Sequence, residues 1–393
     1  MKNILIFVFL IFCSGLFCAP QDKMNAEVFD AAINEVAKFH YDGKFRQKYA
    51  EKINYFRQKS LKSVNFTELG RVLNEFFRQL DDSHLGVAVP SEKTEKIFVP
   101  LKNDARLLES DGKVLVCETS RSSVFKCGDE LLSVNGCKAD VNARTGAAFQ
   151  LNHKLSFGTP GTEMQAVIIR DGKKMTVRYI AERLQRMPDI FKFGVMPAMP
   201  EEYTSKLIDE RTGYIRFGLF SPNIVQKFKK DINTIFLKVP KLIIDLRSNS
   251  GGLILMGVHM ASFLSGKRVD FGKMIIDGQP LNPKSYPQKN RWRGKVFILV
   301  GRNSYSTAEI FALAMQQSAS AVVIGEKTSG MCLPSVFVPL PHGFKLQTVA
   351  GDYISAGGFR PEGRGMMPQI VIKNSAESLK NNRDMPIEYI RNL

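Results

Sequence analysis

The sequence has few of the features that would assign it to several common classes of protein. It contains one tryptophan and five histidines in 393 residues. Neither the histidines nor the cysteines have the paired spacing of a zinc site. Beyond the N-terminal residues there is no apolar run long enough to span a bilayer, and there is no internal repeat or low-complexity tract. We therefore expect no metal site, and we expect the mature protein to be soluble.

Acidic residues are fewer than basic ones, 38 against 55, which gives a net charge of +17. Such an excess of positive charge is typical of proteins that bind nucleic acid. Here, however, the Lys and Arg residues are spread along the chain, with only short clusters such as KFKKD and DGKKM. We interpret the charge as favouring solubility and attraction to anionic substrates or to an anionic envelope surface. We predict no nucleic-acid partner.

The first residues have the layout of a secretory signal peptide. Lys2 precedes the apolar run ILIFVFLIF, and small residues follow. This pattern predicts a signal peptide over residues 1–19 and an exported protein, in a periplasm or outside the cell. A lipid anchor on Cys13 or Cys18 is the alternative, which the neighbouring bulky phenylalanines disfavour.

Removal of the signal peptide leaves a small set of cysteines, three of them close together in the sequence: Cys117, Cys127, Cys137 and Cys332. Export would permit oxidation, so one local disulfide among the first three is possible. The sequence does not indicate which two would pair.

The remaining chain changes character twice. Residues 20–92 show apolar positions at helical spacing and predict a helical subdomain. Residues 93–185 contain short β-rich runs separated by turn residues and predict a β-rich module. In residues 186–393, strands such as KLIIDLR and KVFILVG alternate with helical stretches, which predicts an α/β core with a largely parallel sheet.

Sites in parallel sheets form where the carboxyl ends of strands run into loops. Three such loops follow predicted strands, namely RSNSGG, RNSYSTAE and EKTSGMC. The first contains Gly251 and Gly252, where a backbone N–H group can approach a reacting carbonyl because no side chain intervenes. The loop lacks the lysine and the spacing of a nucleotide-phosphate loop, so we reject that function. A glycine-rich turn that only reverses the chain is the alternative to an oxyanion site.

The second loop places Ser306 at the start of a predicted helix. Ser306 and Glu309 form a capping-box pattern, and most serines in this position only cap a helix. A strand-to-helix turn also exposes a hydroxyl beside the positive end of the helix, where negative charge is stabilised. Both interpretations stay open from this loop alone.

A serine nucleophile requires a base, and His84 is the histidine whose setting differs from the others. It lies in LDDSHLG, a turn directly after the strongest helical pattern, flanked by acidic residues and a hydroxyl. A carboxylate should orient the base, and Glu362 in RPEGRGMMP is a candidate. A solvated turn residue is the alternative role for Glu362.

Six segments in this order resemble the tail-specific, or C-terminal processing, peptidase family, and more narrowly its tricorn-core and retinoid-binding-protein-like branch: LDDSH, CGDELLSVNG, LIIDLRSNSGG, GRNSYSTAEIFALAM, VVIGEKTSG and PEGRGMMP. The resemblance covers most of the mature chain. It implies an α/β fold with a crotonase-like (ClpP-like) core in residues 186–393, and a PDZ-like module in residues 93–185. It also implies a serine peptidase that needs no cofactor and acts on peptides or unfolded proteins.

The resemblance assigns roles to particular residues. The nucleophile is Ser306, and the oxyanion is held by the N–H groups of Thr307 and of the turn formed by Gly251 and Gly252. The better-known branch has a lysine base where this chain has Met331, which cannot accept a proton. The tricorn-like branch uses a histidine, the serine beside it and a late glutamate, which correspond here to His84, Ser83 and Glu362.

Two alternatives remain at this point. Lys327, in the same loop as Met331, could serve as the base in place of His84. Relatives in this branch also include ligand-binding proteins, so a non-catalytic protein that binds peptides or hydrophobic ligands on the same fold is the rival from another class. The PDZ-like segment lacks an obvious glycine-rich carboxylate-binding loop; if it grips substrate tails, main-chain pairing to an extended peptide is expected.

Overall fold

The structure is a computed structural model that describes residues 20–41, 43–90, 99–142, 146–185, 189–195, 199–276 and 278–393. The predicted signal peptide, residues 1–19, lies outside these residues. Within the part of the chain that the structure describes, no helix combines the length and the apolar character needed to cross a bilayer. The four cysteines outside the predicted signal peptide are free thiols.

The described residues form ten α-helices and twenty-four strands. The α-helices are α1 Gln21–Phe39, α2 Phe45–Lys48, α3 Ala50–Leu61, α4 Phe66–Arg78, α5 Ala147–Ser156, α6 Pro222–Ile232, α7 Ile254–Leu264, α8 Thr307–Gln317, α9 Ala376–Lys380 and α10 Met385–Arg391. The strands are β1 Gly86–Ala88, β2 Val99–Pro100, β3 Ala105–Ser110, β4 Lys113–Thr119, β5 Glu130–Val134, β6 Cys137–Lys138, β7 Phe157–Gly158, β8 Glu163–Arg170, β9 Lys173–Ile180, β10 Ile190–Phe191, β11 Met199–Pro200, β12 Tyr203–Asp209, β13 Thr212–Phe217, β14 Lys241–Asp245, β15 Val269–Asp270, β16 Lys273–Ile276, β17 Gln279–Leu281, β18 Lys284–Ser285, β19 Lys295–Val300, β20 Val322–Gly325, β21 Ser335–Pro339, β22 Lys345–Val349, β23 Gly351–Ile354 and β24 Ile370–Val371.

The largest sheet of the C-terminal half has the order β12-β13-β14-β19-β20-β24. All pairs except β12 with β13 are parallel, so the predicted, largely parallel sheet is present. Its central strands are apolar on both faces: Leu242 and Ile244 face the core that includes α6, α7 and α8, whereas Ile243 packs in the core that includes Ile390 of α10. Burial on both faces explains why these strands read as continuous apolar runs.

The helices α1 to α4 pack on a small antiparallel sheet, β1-β22-β21, whose strands come from distant parts of the chain. Leu340, Phe344 and Leu346 share one hydrophobic core with α1, α3 and α4. This core holds the turn after α4 against the C-terminal third of the chain. The helical region of residues 20–92 therefore packs directly on residues 186–393, the region predicted as the α/β core. The limits of the domains remain predictions.

The β-rich region forms a sheet of order β3-β4-β5-β8-β9 with α5 packed on it. The turn between β3 and β4 contacts the loop that follows β20: the Ser110 hydroxyl donates to Glu326, and the backbone N–H of Asp111 donates to the same carboxylate at 3.0 Å. These hydrogen bonds join the β-rich region to the loop that follows β20 of the large sheet.

An ion-pair network lies at the end of β14. Asp245, which is 0% exposed, accepts hydrogen bonds from Arg247 at 2.7 and 2.9 Å and from the Tyr214 hydroxyl at 2.7 Å, and Arg247 also pairs with Asp384. Burial alone would raise the pKa of Asp245, but the Arg247 guanidinium outweighs it and holds that pKa well below its usual range.

We expect Asp245→Asn to lower the free energy of unfolding by about 3–5 kcal/mol, because it removes one member of a buried ion pair. Since the folded pKa is depressed, the carboxylate stabilises the protein above the unfolded pKa of ~3.9 and loses this effect as the pH falls below it. Urea unfolding between pH 3 and 7 should show a smaller acid-induced loss of stability in the variant than in the wild type. Equal losses in the two proteins would contradict this account.

Candidate active site

Three loops meet at the carboxyl edge of the large sheet. The Tyr305 N–H donates to the carbonyl of Asn249 at 3.0 Å, which joins the loop after β19 to the loop after β14. The Ser306 N–H donates to the carbonyl of Met331 at 2.9 Å, which joins it to the loop after β20. The three loops that the sequence singled out are therefore hydrogen-bonded to one another around Ser306.

Ser306 occupies an unusual backbone conformation, with φ 54° and ψ −119°, directly before α8. Positive φ in a non-glycine residue is strained, at a cost of roughly 1–3 kcal/mol, and such residues concentrate at functional sites. The side chain is partly exposed. A residue that only capped the helix would adopt the ordinary extended conformation at no such cost.

Glu309 has a larger structural role than the predicted cap. It is 0% exposed and accepts hydrogen bonds from the Thr328 hydroxyl at 2.5 Å and from the N–H groups of Gly330 and Met331 at 2.9 Å each. It also accepts from the Ser306 N–H at 3.3 Å. Burial raises the pKa of Glu309. This anchoring role was not predicted, although a carboxylate in the first turn of an otherwise apolar helix was a signal for it.

The predicted oxyanion turn lies beside Ser306. Gly251 has φ 94°, and a Cβ atom built on it would lie 2.7 Å from the Ser306 Cβ and 3.1 Å from the Thr307 nitrogen. The Gly251 N–H donates to Asn249 Oδ1 at 2.8 Å and is therefore already engaged. No described residue accepts a hydrogen bond from the N–H of Gly252 or of Thr307. Of the three predicted donors, these two are the ones with a free N–H group in this structure.

Hydrogen bonds link Glu362 to Ser83 and Ser83 to His84. The Ser83 hydroxyl lies 3.0 Å from Glu362 Oε2 and 2.8 Å from His84 Nδ1, and the Ser83 N–H donates to Glu362 Oε1 at 3.0 Å. A carboxylate only accepts, so the single hydroxyl hydrogen of Ser83 goes to Glu362 and the hydroxyl oxygen accepts from Nδ1–H. In a neutral imidazole ring, Nε2 of His84 is then the nitrogen that carries no hydrogen.

The Met331–Cys332 segment connects this group to Ser306. Glu362 Oε2 accepts from the Cys332 N–H at 2.8 Å, while the Met331 carbonyl accepts from the Ser306 N–H. Ser83 and Glu362 are 2% and 5% exposed, whereas His84 and Ser306 are partly exposed. The hydrogen-bonded pair of Ser83 and Glu362 is thus buried, whereas the two side chains that would contact a substrate are accessible to solvent.

Lys327, the alternative base, is exposed and lines a cavity of 290 Å³ between the large sheet and the β-rich module. Ser306, His84 and Glu362 are not among the residues that line this cavity. Met331 contributes only its backbone to the hydrogen bonds around Ser306.

Residues 211–372 match the model of peptidase family S41. This segment is similar to that family. It contains Ser306, Glu362, Gly251 and Gly252, and the resemblance to the tail-specific peptidase family is confirmed.

Curated relatives match a larger share of the chain than this segment. A tail-specific protease of Haemophilus influenzae is 22% identical over 346 residues, which cover 79% of this chain and 46% of the relative. The carboxy-terminal processing protease CtpA of Bacillus subtilis is 25% identical over 277 residues, which cover 68% of this chain and 54% of the relative. The chain spans about half the length of the curated relatives it matches.

Solved structures share the fold. Mature CPAF complexed with lactacystin has a TM-score of 0.65 at 15% identity, with 94% of this chain and 98% of that chain covered. The photosystem II D1 C-terminal processing protease has a TM-score of 0.57 at 18% identity, with 90% and 94% covered. The tricorn protease has a TM-score of 0.57 at 15% identity, with 94% and 36% covered. The chain therefore has a mixed α/β fold similar to that of S41 peptidases.

Proposed function

We propose that the chain is a serine peptidase of the tail-specific type, with Ser306 as nucleophile and His84 as general base. This proposal rests on the hydrogen bonds that link Glu362 to Ser83 and Ser83 to His84. The Glu362 carboxylate and the Ser306 backbone also both bond to the segment Met331–Cys332. The match of residues 211–372 to the model of peptidase family S41 supports it. Substrates would be peptides or unfolded proteins.

In the proposed mechanism, Ser306 Oγ attacks the carbonyl carbon of the scissile bond while Nε2 of His84 takes the hydroxyl proton. The carbonyl electron pair moves to oxygen, where the N–H groups of Gly252 and Thr307 stabilise the charge, aided by the N-terminus of α8. Gly251 shapes the turn and leaves room for the nucleophile.

The tetrahedral intermediate then loses the amine. His84 returns its proton to the leaving nitrogen as the C–N bond breaks, which leaves an ester on Ser306. A water molecule attacks the ester by the same proton transfers, releases the carboxylate product and restores Ser306. These steps need no cofactor.

Further parts of the proposal concern the whole chain. Residues 186–393 would form a crotonase-like core, and residues 93–185 a PDZ-like module that binds extended peptides. The predicted signal peptide over residues 1–19 would direct export to a periplasm or the cell exterior. The order of strands and helices supports the proposals for the two regions. The apolar run after Lys2 supports the proposed export.

Peptide-bond hydrolysis is tested by incubating the purified protein with a library of unfolded proteins and identifying new termini by mass spectrometry. We expect new C-termini that disappear when the protein is first treated with a fluorophosphonate. A binding protein on the same fold would produce no new termini, and this result would reject the proposal.

We expect Ser83→Ala to lower kcat by roughly 10²–10³-fold with KM changed less than about threefold, because Ser83 positions His84 without touching the substrate. The rate of fluorophosphonate labelling at Ser306 should fall by a similar factor. A purely structural role would instead lower the unfolding midpoint and leave the kcat of the folded fraction near that of the wild type. Stopped-flow labelling and circular dichroism together separate these outcomes.

A further inference from the structure

Three short basic segments come together at the amino ends of β14 and β19. They are residues 229–240, at the end of α6 and after it, residues 262–268, at the end of α7 and after it, and residues 288–295, which lead into β19. The three segments contain one acidic residue, Asp231. We call this surface the basic face, and its members are Lys229, Lys230, Lys238, Lys267, Arg268, Lys289, Arg291, Arg293 and Lys295.

Hydrogen bonds hold the three segments together, although they are separate in the sequence. Trp292, the single tryptophan, donates its indole N–H to the Phe236 carbonyl at 2.8 Å and its backbone N–H to the Phe263 carbonyl at 2.8 Å. The Lys295 N–H donates to the Pro240 carbonyl at 2.8 Å. Basic residues that are scattered in the sequence therefore converge on one surface of the fold.

The positive charge of the basic face is not neutralised by neighbouring carboxylates. Its residues are exposed, except that Arg291 is half-buried, and no described carboxylate lies within 4.0 Å of their charged nitrogens. Asp231 is 8% exposed and accepts from the Tyr203 hydroxyl at 2.9 Å. Asp270, which follows the second segment, accepts from the Gly272 N–H at 2.9 Å. An anionic partner would therefore meet charges that have no ion-pair partner of their own.

Two exposed apolar side chains lie within the basic face. Ile235 is 45% exposed and Leu237 is 62% exposed, and both lie between Lys230 and Lys238 in the sequence. Apolar side chains surrounded by Lys and Arg are typical of proteins that lie on an anionic bilayer, where the apolar groups enter the boundary between headgroups and acyl chains. The phosphate backbone of a nucleic acid offers charge without such an apolar layer. The composition of the face therefore favours a lipid surface.

We propose that the basic face docks the protein on an anionic phospholipid bilayer, with Ile235 and Leu237 entering the headgroup boundary. Each Lys or Arg close to such a surface strengthens binding by roughly fivefold. The electrostatic attraction falls off within a Debye length, so added salt weakens it. The inference does not rest on the proposed peptidase function. It identifies the part of the fold that would contact the anionic envelope surface suggested by the net charge.

Docking by this face would leave the candidate active site open. The strands β14 and β19 begin at the basic face, whereas Gly251 and Ser306 follow their carboxyl ends. The six residues of β19 extend over about 20 Å. Ser306 would therefore lie about 20 Å beyond Lys295, on the side of the sheet away from the bilayer, where a substrate in solution can reach it.

Binding to vesicles tests the docking surface. The purified protein is mixed with vesicles of phosphatidylcholine alone, or of equal parts phosphatidylcholine and phosphatidylglycerol, each carrying a dansyl-labelled lipid. Energy transfer from Trp292 measures the approach of the basic face, and sedimentation of the vesicles gives the bound fraction. We expect binding to the anionic vesicles to be at least about a hundredfold tighter, and to weaken as salt is added.

Charge reversal locates the surface on the molecule. The triple variant Lys230→Glu, Lys267→Glu and Lys289→Glu changes one exposed residue in each segment of the basic face. We expect it to bind the anionic vesicles at least about a hundredfold more weakly than the wild type. Circular dichroism checks that the variant is folded, and the lipid preference of the wild type is measured independently of any variant.

A matched control changes the net charge by the same amount on the β-rich region. It carries Lys138→Glu, Lys173→Glu and Lys174→Glu, all at exposed positions. We expect its affinity for the anionic vesicles to stay within about fivefold of the wild type, because these residues lie outside the basic face. Residues 1–19 are common to all variants, so any binding by that segment cancels from the comparison.

Replacement of the apolar pair distinguishes a bilayer from a soluble polyanion. Ile235→Ser with Leu237→Ser should weaken binding to anionic vesicles roughly tenfold and leave any binding of double-stranded DNA unchanged. Equal binding to the two kinds of vesicle, or equal losses in the two triple variants, would overturn the proposal. Vesicle binding that the serine substitutions leave unchanged, together with equally tight binding of DNA, would identify a general polyanion surface and would also overturn it.

Discussion

Ser306→Ala is expected to lower kcat by roughly 10⁴–10⁶-fold, because it removes the atom that forms the covalent bond to the substrate. The residual rate over water would come from the oxyanion donors and from substrate binding. The protein should remain folded, since the Ser306 N–H bonds to Met331 and Glu309 use the backbone of this residue. Steady-state hydrolysis of a peptide released in the terminus-profiling experiment measures the effect.

Ser329→Ala is the matched control for this substitution. Ser329 lies in the loop after β20, and its hydroxyl is buried with no hydrogen-bond partner among the described residues. Its removal should change kcat by less than about threefold. Full activity in Ser306→Ala, or equal losses in the two variants, would show that the Ser306 hydroxyl is not the nucleophile.

His84→Ala should lower kcat by roughly 10⁴-fold or more, because the hydroxyl of Ser306 is a weak nucleophile without a base. Replacement of His84 leaves the Ser83 and Glu362 pair intact, so the buried carboxylate keeps its donors from Ser83 and Cys332. The loss should therefore concern the chemical step more than folding. Single-turnover hydrolysis, with the unfolding midpoint measured in parallel, checks both parts.

His259→Ala, on the exposed side of α7, provides the histidine control and should retain the wild-type rate within about threefold. The decisive comparison is with Lys327→Ala, measured on the same peptide. Normal hydrolysis by His84→Ala together with an inactive Lys327→Ala would contradict the histidine mechanism and establish the serine–lysine alternative.

The parallel sheet could be predicted because its strands are buried on both faces and alternate with helices, a pattern that is local in sequence. The loops at its carboxyl edge followed from the same pattern. The packing of α1 to α4 on Leu340 and Phe344 could not, because it joins segments more than 250 residues apart, which no local periodicity encodes.

At the candidate site, residue types were predictable and hydrogen-bond partners were not. Ser306, His84 and Glu362 follow from motifs, whereas the Glu309 anchor depends on the path of the loop after β20. The Gly251 N–H illustrates the same limit, since its bond to Asn249 Oδ1 comes from a side-chain conformation. The cavity at Lys327 forms only when the β-rich module docks on the large sheet, so no single segment indicates it.

Activation of the Ser306 hydroxyl by His84 is tested most directly by labelling with a fluorophosphonate probe and mapping the adduct by mass spectrometry. We expect the wild type and Lys327→Ala to be labelled at Ser306, and we expect labelling of His84→Ala to be slower by at least about a hundredfold. An unlabelled Ser306 in the wild type, or labelling of His84→Ala at the wild-type rate, would contradict it.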